Sequence, residues 1–121
     1  LGGFRVQRDA ARILEDALAV QEAGAFAVVL EGMPSAIAST ITGDLRIPTI
    51  GIGAGADCDG QILVWHDLLG LTPEPRPRFV KVFNDLGRPA IKGLTGYVKA
   101  VRSGSFPSLR HSYSSVKGGG G

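Results

Sequence analysis

The sequence predicts an α/β fold in which helices pack against a parallel β-sheet. Three short apolar runs have the β-branched composition of buried parallel strands. Helical or glycine-rich segments separate these runs, and the order helix, strand, helix, strand, loop, strand favours parallel pairing. Each run ends in a carboxylate, glycines or other polar groups. Chemically useful groups from all three strands are therefore expected at one edge of the sheet.

The first helix is predicted over residues 9–23, because apolar residues recur there at three- and four-residue spacing. Asp9 is placed to cap its first turn, and Gly24 can adopt the left-handed conformation just past its last turn. The residues expected to face inward are Ala10, Ile13, Leu14, Ala17 and Leu18. A buried strand over residues 25–30 follows directly and ends at Glu31.

A second helix is predicted after Pro34, whose fixed φ suits a first helical turn. Its inward residues are expected to be Ala36, Ile37 and Ile41. The second strand contains Ile50 and Ile52, which alternate with glycines, and a glycine-rich loop follows it. Residues 62–65 are predicted to form the third strand.

Three prolines make residues 71–78 an extended connector. Residues 79–86 are compatible with a helix, and residues 91–102 are predicted to form one because their apolar residues recur at helical spacing. We assign residues 1–115 to one domain and residues 116–121 to a flexible glycine-rich tail.

Composition excludes several classes of function. With 121 residues, of which 44% are hydrophobic and 20% charged, the chain has the character of one globular domain. A formal charge of +2 does not favour nucleic-acid binding, and no apolar run approaches the roughly 18 residues of a membrane span. Cys58 is the single cysteine, which fits a reducing, cytoplasmic location. The chain begins at Leu1 rather than Met, which suggests a processed or incomplete polypeptide.

The glycines at Gly51, Gly53 and Gly55 formally satisfy the dinucleotide-binding pattern, with alanine at its last place. That pattern requires a helix opening at the final glycine, whereas Asp57 and Asp59 follow here and would repel a phosphate. We therefore reject a nucleotide site. The glycines either permit a tight turn with close packing or leave room for a substrate. The two aspartates are interpreted as turn residues rather than cation ligands.

Glu31 has two interpretations from sequence alone. A carboxylate at the end of a buried strand can pair with a lysine or arginine, or cap the next helix. Alternatively, a carboxylate partly desolvated by apolar strands is a stronger base and can remove a proton from a weak carbon acid. His66 and Asp67 also follow a strand, but a helix start or a surface hydrogen bond is the preferred interpretation for them.

Seven segments in the same order resemble the ketopantoate hydroxymethyltransferase family, and together they cover nearly the whole chain. They are Phe4-Arg-Val-Gln7, Leu14-Glu-Asp-Ala17, Glu22-Ala-Gly-Ala-Phe-Ala-Val-Val-Leu-Glu-Gly-Met-Pro34, Ile47-Pro-Thr-Ile-Gly-Ile-Gly-Ala-Gly55, Asp59-Gly-Gln-Ile-Leu-Val-Trp-His-Asp67, Phe79-Val-Lys81 and Val101-Arg-Ser-Gly-Ser-Phe-Pro107. The resemblance implies a (β/α)8 (TIM) barrel of the phosphoenolpyruvate/pyruvate superfamily. Such a barrel typically needs about 250 residues, so three strands are expected to be its carboxyl-terminal part.

The resemblance also implies an activity and a site. The family transfers a hydroxymethyl group from 5,10-methylenetetrahydrofolate to 3-methyl-2-oxobutanoate, which gives 2-dehydropantoate for pantothenate and coenzyme A biosynthesis. Glu31 matches the catalytic base, and Ile52, Ile62 and Val64 match apolar residues near the branched end of the keto acid. A Mg²⁺ ion is implied as a cofactor, with its ligands expected in the amino-terminal half of the enzyme and none in this chain.

Two other functions remain open at this point. The first is that the chain is a catalytically silent fragment or an assembly partner. The second is that it is a related lyase, which cleaves carbon-carbon bonds in small keto acids without folate. The expected partners are the keto acid and the folate, with no nucleic acid and no membrane. The resemblance implies a homo-oligomer for the full-length enzyme.

Overall fold

A computed structural model describes Val6 and residues 8–113 of the chain. The regular elements in chain order are α1 (Ala10–Glu22), β1 (Val28–Glu31), α2 (Ser35–Asp44), β2 (Thr49–Ile52), β3 (Gly60–Gln61), α3 (Trp65–Leu68), α4 (Gly87–Arg102) and a 3₁₀ turn (Leu109–His111). The strands form one parallel sheet in the order β1-β2-β3, which confirms the predicted α/β class. The predicted tail over residues 116–121 lies outside the described residues.

Helix α1 begins and ends where the sequence predicts. The Asp9 side chain accepts a hydrogen bond from the Arg12 amide at 3.2 Å, and Gly24 has a φ of +92° just past the last turn. Of the residues expected to face inward, Ala17 is buried and Ile13 and Leu14 are partly buried, whereas Ala10 and Leu18 are exposed. Leu18 turns outward because it lies about 100° around the helix from Ala17.

The hydrophobic core lies between α1, α2 and one face of the sheet. Its buried members are Ala17, Leu30, Met33, Ala38, Ile41, Leu45 and Ala54. Ile41 is fully buried and Ile37 is partly buried, as predicted, but Ala36 is exposed and Ala38 is buried instead. Ala38 lies three residues before Ile41 and therefore shares its side of the helix.

The opposite face of the sheet is largely exposed in the part of the chain that the structure describes. Leu30 is buried, whereas its neighbours Val29 and Glu31 are exposed, because successive residues of a strand point to opposite faces. The strand also begins three residues later than predicted, and the preceding Phe26 is 91% exposed. In this chain the strand is therefore buried on one face rather than on both.

The predicted third strand at residues 62–65 is wrong in position. Strand β3 is Gly60–Gln61, and Trp65 begins helix α3 because the amides of Asp67 and Leu68 donate to the Val64 carbonyl at 2.9 and 3.1 Å. No crossover helix joins β2 to β3. In the observed register Gly60 pairs with Ile50, so the connecting loop returns along β2 by only two residues.

Residues 79–86 do not form the predicted helix. The amides of Phe83 and Leu86 donate instead to the carbonyls of Leu68 and Leu69, at 2.8 and 2.9 Å. This segment therefore lies alongside the end of α3. Helix α4 then begins at Gly87, four residues earlier than predicted. Pro89 lies in its first turn, where a missing N–H costs no helical hydrogen bond.

Helix α4 is predicted correctly from Ile91 to its end at Arg102, shortly before Gly104, whose φ is +72°. None of its residues is buried. Its apolar residues Ile91, Leu94, Tyr97, Val98 and Val101 are all exposed. No helix among the described residues has both the length and the apolar character needed to cross a membrane.

Candidate active site at the carboxyl edge of the sheet

Glu31 and two of the apolar residues predicted to accompany it lie in one row across the sheet. Glu31 pairs in register with Ile52 on β2. Gly51 pairs with Gln61, and the next step of that register brings Ile62 level with Ile52. The Ile62 amide donates to the Gly51 carbonyl at 3.0 Å, so the ladder continues past the end of β3. The row lies at the carboxyl edge, where the sequence predicts the functional groups.

The side chains of this row share one face of the sheet. Residues paired in register on parallel strands point to the same side, and side chains alternate along each strand. Glu31, Ile52 and Ile62 therefore face away from the core residue Leu30. Val64 has an extended backbone and lies two residues beyond Ile62, where α3 begins.

The row is open rather than enclosed. Glu31 is exposed, Ile52 is partly exposed, and Ile62 and Val64 are 48% and 50% exposed. The described residues thus do not provide the partial desolvation expected for Glu31, because its side chain remains exposed among them. A deep pocket around the row would need further chain on that side.

The structural alternative for Glu31 is not observed in the described part of the chain. Helix α2 has Pro34 at its cap position and no side-chain capping hydrogen bond. The ion pairs that form there involve Glu22, Glu74 and Asp85 rather than Glu31. The Glu31 carboxylate is therefore available for a ligand.

The glycines after β2 allow close packing. A Cβ atom on Gly53 would lie 2.6 Å from a ring atom of Phe79, and one on Gly55 would lie 2.4 Å from the Ser35 Cβ atom. Gly55 also has a φ of +87°, which residues with side chains rarely adopt. A strand, not a helix, follows the loop, which agrees with rejecting a nucleotide site. Of the two interpretations left open by the sequence, the tight turn with close packing matches these contacts.

Asp59 connects the loop between β2 and β3 to the start of β2 by hydrogen bonds. Its carboxylate accepts hydrogen bonds from the Thr49 amide at 2.8 Å and from the Thr49 hydroxyl at 3.2 Å, and its own amide donates to that hydroxyl at 3.2 Å. Thr49 is fully buried, and its hydroxyl also lies 2.8 Å from that of Thr42. Asp59 is thus a turn residue, as predicted, but the sequence gives no sign of its pairing with Thr49.

Replacing Asp59 by alanine is expected to lower the free energy of unfolding by about 1–3 kcal/mol, because the buried Thr49 amide loses its acceptor. Asp57→Ala is the matched control, since Asp57 is exposed on the same loop, and its effect is expected within about 0.5 kcal/mol. Urea unfolding followed by circular dichroism measures both. Equal effects of the two substitutions would contradict the role given to Asp59.

His66 and Asp67 lie in helix α3, which agrees with their interpretation as a helix start. The His66 ring is exposed and lies against Trp65, with 3.9 Å between ring centroids. The His66 carbonyl accepts from the Leu71 amide at 2.8 Å. These contacts are structural, and they leave Glu31 as the candidate base in the row.

The described residues do not offer a magnesium site of their own. Within Val6 and residues 8–113, no three His, Cys, Asp or Glu side chains come together as a set of metal ligands. The Asp59 carboxylate is already occupied by Thr49. The ligand set implied for Mg²⁺ is therefore not met by this part of the chain.

Comparison with known proteins gives a consistent result. The sequence model of the family described as ketopantoate hydroxymethyltransferase matches residues 1–109. Among curated proteins, the chain is 62% identical over 113 residues to the 3-methyl-2-oxobutanoate hydroxymethyltransferase of Desulforapulum autotrophicum, a match that covers 93% of this chain and 43% of the relative.

Two other relatives carry the same name. The protein of Pelobacter propionicus is 56% identical over 116 residues, covering 93% of this chain and 43% of the relative. That of Geobacter sulfurreducens is 53% identical over 118 residues, covering 94% and 44%. The chain thus spans less than half the length of the curated relatives that it matches.

Proposed function

This chain belongs to the ketopantoate hydroxymethyltransferase family, and from that premise we propose that it supplies the base-bearing part of a hydroxymethyltransferase. The proposed reaction transfers a hydroxymethyl group from 5,10-methylenetetrahydrofolate to 3-methyl-2-oxobutanoate and gives 2-dehydropantoate. The observation that carries the proposal is the Glu31 carboxylate, which lies unpaired among the described residues and level with apolar Ile52 and Ile62.

In this proposal Glu31 removes the proton from C3 of the keto acid. The electron pair of the broken C–H bond forms the enolate, whose C3 then forms a bond to the one-carbon unit. The methylene carbon is bonded at first to both N5 and N10 of the folate; one of these bonds breaks as C3 attacks, and the other breaks as water supplies the hydroxyl group. The proton taken by Glu31 and the remaining proton of water go to the two nitrogens, and tetrahydrofolate leaves. A positioned carboxylate that accepts the proton contributes about 10²- to 10⁴-fold to such a step.

The apolar neighbours have a binding role in this proposal. The two methyl groups at the branched end of the keto acid contact Ile52, Ile62 and Val64. Methyl groups cannot form hydrogen bonds, so apolar side chains bind them better than polar ones do. The alignment of these side chains with Glu31 supports this, because the reacting C3 atom carries those methyl groups.

A Mg²⁺ ion would withdraw charge from the keto acid as the enolate forms. Because the described residues lack the necessary cluster of ligands, we assign the ion to aspartate and glutamate side chains elsewhere in the enzyme. No residue described in this chain is given a metal-binding role, and no step above depends on one.

The proposed architecture is the carboxyl-terminal part of a (β/α)8 barrel. Strands β1 and β3 each have a single neighbour in the described sheet, and the face that carries Glu31 is uncovered. In a closed barrel, further strands would pair with both edges and that face would become the interior. Catalytic groups of such barrels lie at the carboxyl ends of the strands, where Glu31 is found.

The same open edges support a second candidate function. A chain with three strands and an uncovered face is a suitable assembly partner that is silent until another polypeptide completes the sheet. A keto-acid lyase, the third candidate, would use the same base but no folate. Turnover measured with and without methylenetetrahydrofolate distinguishes it from the transferase.

The proposal is tested with a chimaera in which this chain replaces the matching segment of the Desulforapulum relative. We expect the chimaera to form 2-dehydropantoate when the keto acid, the folate and Mg²⁺ are supplied, and the 121-residue chain alone to show no turnover. The product is measured by chromatography against the unmodified relative. A correctly folded chimaera without activity would refute the proposed function, and turnover by the chain alone would refute its dependence on further segments.

A further inference from the structure

A histidine side chain joins the two ends of the 3₁₀ turn that follows helix α4. The turn spans Leu109–His111, and Ser108 lies at its cap position. The Ser108 amide donates a hydrogen bond to Nδ1 of His111 at 3.2 Å, and the Ser108 hydroxyl lies 2.8 Å from the same nitrogen. The His111 amide donates to the Ser108 carbonyl at 2.9 Å. Both backbone and side chain therefore close this turn.

The spacing of these two residues is that of a capping box. In such a box a Ser or Thr is followed three positions later by Glu or Gln, whose side chain accepts from the amide of that Ser or Thr. Here His111 takes the place of the Glu or Gln. Glutamine does not titrate and an exposed glutamate stays ionised above about pH 5, whereas histidine changes its charge between about pH 5 and 8. This capping box therefore contains a group that responds to pH.

The hydrogen bond from the Ser108 amide determines which ring nitrogen carries the proton. A backbone N–H can only donate, so Nδ1 of His111 accepts and the proton of the neutral ring is on Nε2. In the imidazolium both ring nitrogens donate, and no rotation of the ring restores an acceptor. The Ser108 hydroxyl can reverse its role and accept, but the backbone amide cannot. Protonation of the ring therefore breaks the amide hydrogen bond.

The His111 ring also connects the turn to helix α4 through Phe106. The ring centroids of these two residues are 5.0 Å apart, and the Phe106 ring lies 5.7 Å from that of Tyr97 on α4. The Phe106 amide donates to the Ala100 carbonyl at 3.2 Å, a bond in which the histidine takes no part. Opening of the turn at His111 therefore separates residues 108–113 from the aromatic rings and leaves the end of α4 intact.

The charged groups on α4 and on the turn give the imidazolium no replacement partner. All of them are cations, and the sequence has no Asp or Glu after Asp85. Tyrosine, the other titratable side chain in the ring cluster, is uncharged between pH 5 and 8. No carboxylate on these two elements can therefore hold the charged ring in place. The cations are Arg88, Lys92, Lys99 and Arg102 on α4 and Arg110 in the turn.

We propose that the capping box of Ser108 and His111 is a pH-sensitive switch, which keeps the segment after α4 closed at neutral pH and opens it in acid. The neutral ring accepts from the Ser108 amide, so the turn is intact at pH 8. The hydrogen bond is lost as the pH falls towards 5, because the ring then gains its second proton. The switch uses no residue of the row that contains Glu31 and does not depend on the proposed reaction.

The test measures hydrogen exchange of backbone amides in the 121-residue chain by NMR at pH 8 and pH 5. The protection factor is the intrinsic exchange rate at each pH divided by the observed rate. We expect that of the Ser108 amide to fall about tenfold from pH 8 to pH 5, because one hydrogen bond is lost. The Ser103 amide, which donates to the Lys99 carbonyl at 3.0 Å, is the internal control and should change less than twofold.

Three variants separate the histidine from its surroundings. His111→Gln keeps an acceptor but does not titrate, so the protection of the Ser108 amide should agree within twofold at the two pH values. His111→Ala removes the acceptor and should give low protection at both. His66→Gln is the matched control, because His66 is the other histidine of the chain and lies in α3, and it should leave the tenfold response unchanged.

The switch is refuted if the Ser108 amide of the parent is equally protected at both pH values, or if His111→Gln shows the same fall as the parent. Equal protection in the parent and in His111→Ala at pH 8 would also overturn it. A parallel fall at Ser103 would do so too, because the chain would then unfold as a whole rather than open at the turn. Circular dichroism at pH 8 identifies any variant that fails to fold, and His111→Gln then decides the comparison if His111→Ala is lost.

Discussion

Replacing Glu31 by glutamine in the chimaera is expected to slow exchange of the C3 proton of 3-methyl-2-oxobutanoate by about 10²- to 10⁴-fold, since the amide cannot accept that proton. Proton NMR in D₂O follows the exchange directly and needs no folate, so it isolates the first step. Binding of the keto acid should be retained, because glutamine has nearly the same size and shape as glutamate.

Glu15→Gln is the matched control for this experiment. Glu15 lies on an exposed position of α1, and the same chemical change there should leave exchange within twofold of the parent. If Glu31→Gln exchanged the proton at the parent rate while the control also did so, Glu31 would have no part in proton removal.

Replacing Gly55 by alanine is expected to lower the free energy of unfolding by about 2–5 kcal/mol. The left-handed conformation at φ +87° costs a residue with a side chain about 1–2 kcal/mol. The new methyl group would also lie 2.4 Å from the Ser35 Cβ atom and 3.0 Å from its Cα atom, an overpacking that costs about 1–3 kcal/mol more. Urea unfolding of the chimaera, followed by circular dichroism, measures the loss.

The control here is Gly43→Ala, the same substitution in helix α2. A Cβ atom on Gly43 would have nothing within 4 Å, so the helix should gain about 0.5–1 kcal/mol from the lower entropy of the unfolded chain. The two changes are expected to have opposite signs. A stabilising effect of Gly55→Ala would show that the loop does not hold the observed conformation.

Local signals were sufficient for the elements that begin and end with characteristic residues. Helix α1 lies between Asp9 and Gly24, and both residues act as the sequence predicts. The parallel sheet also follows from the sequence, because the order of the apolar runs restricts how the strands pair. For helix α1, the capping residues and the helical spacing of the apolar residues predict the same limits.

Elements determined by distant backbone contacts were not predictable. The apolar run at residues 62–65 has strand composition, yet the ladder ends at the start of the run and Val64 begins a helical turn instead. In the same way, the amides of residues 83–86 find acceptors at the end of α3, and no local pattern distinguishes that outcome from a helix.

The candidate site divides along similar lines. Glu31 is a candidate from sequence because a carboxylate at the end of an apolar strand is unusual, and its alignment with Ile52 and Ile62 follows from the strand register. The pairing of Asp59 with Thr49 was not predictable, because ten positions separate the two residues and only the folded chain brings the carboxylate to the buried amide.

The pairing of Asp59 with Thr49 limits how the length of the chain can vary. An inserted or deleted residue between Ile52 and Asp59 would either separate that carboxylate from the buried amide or shift Gly60 out of register with Ile50. The proline-rich connector is less restricted, because no hydrogen bond between backbone groups is observed for its residues 73–76. Length differences between this chain and its relatives should therefore accumulate in the connector and be rare between β2 and β3.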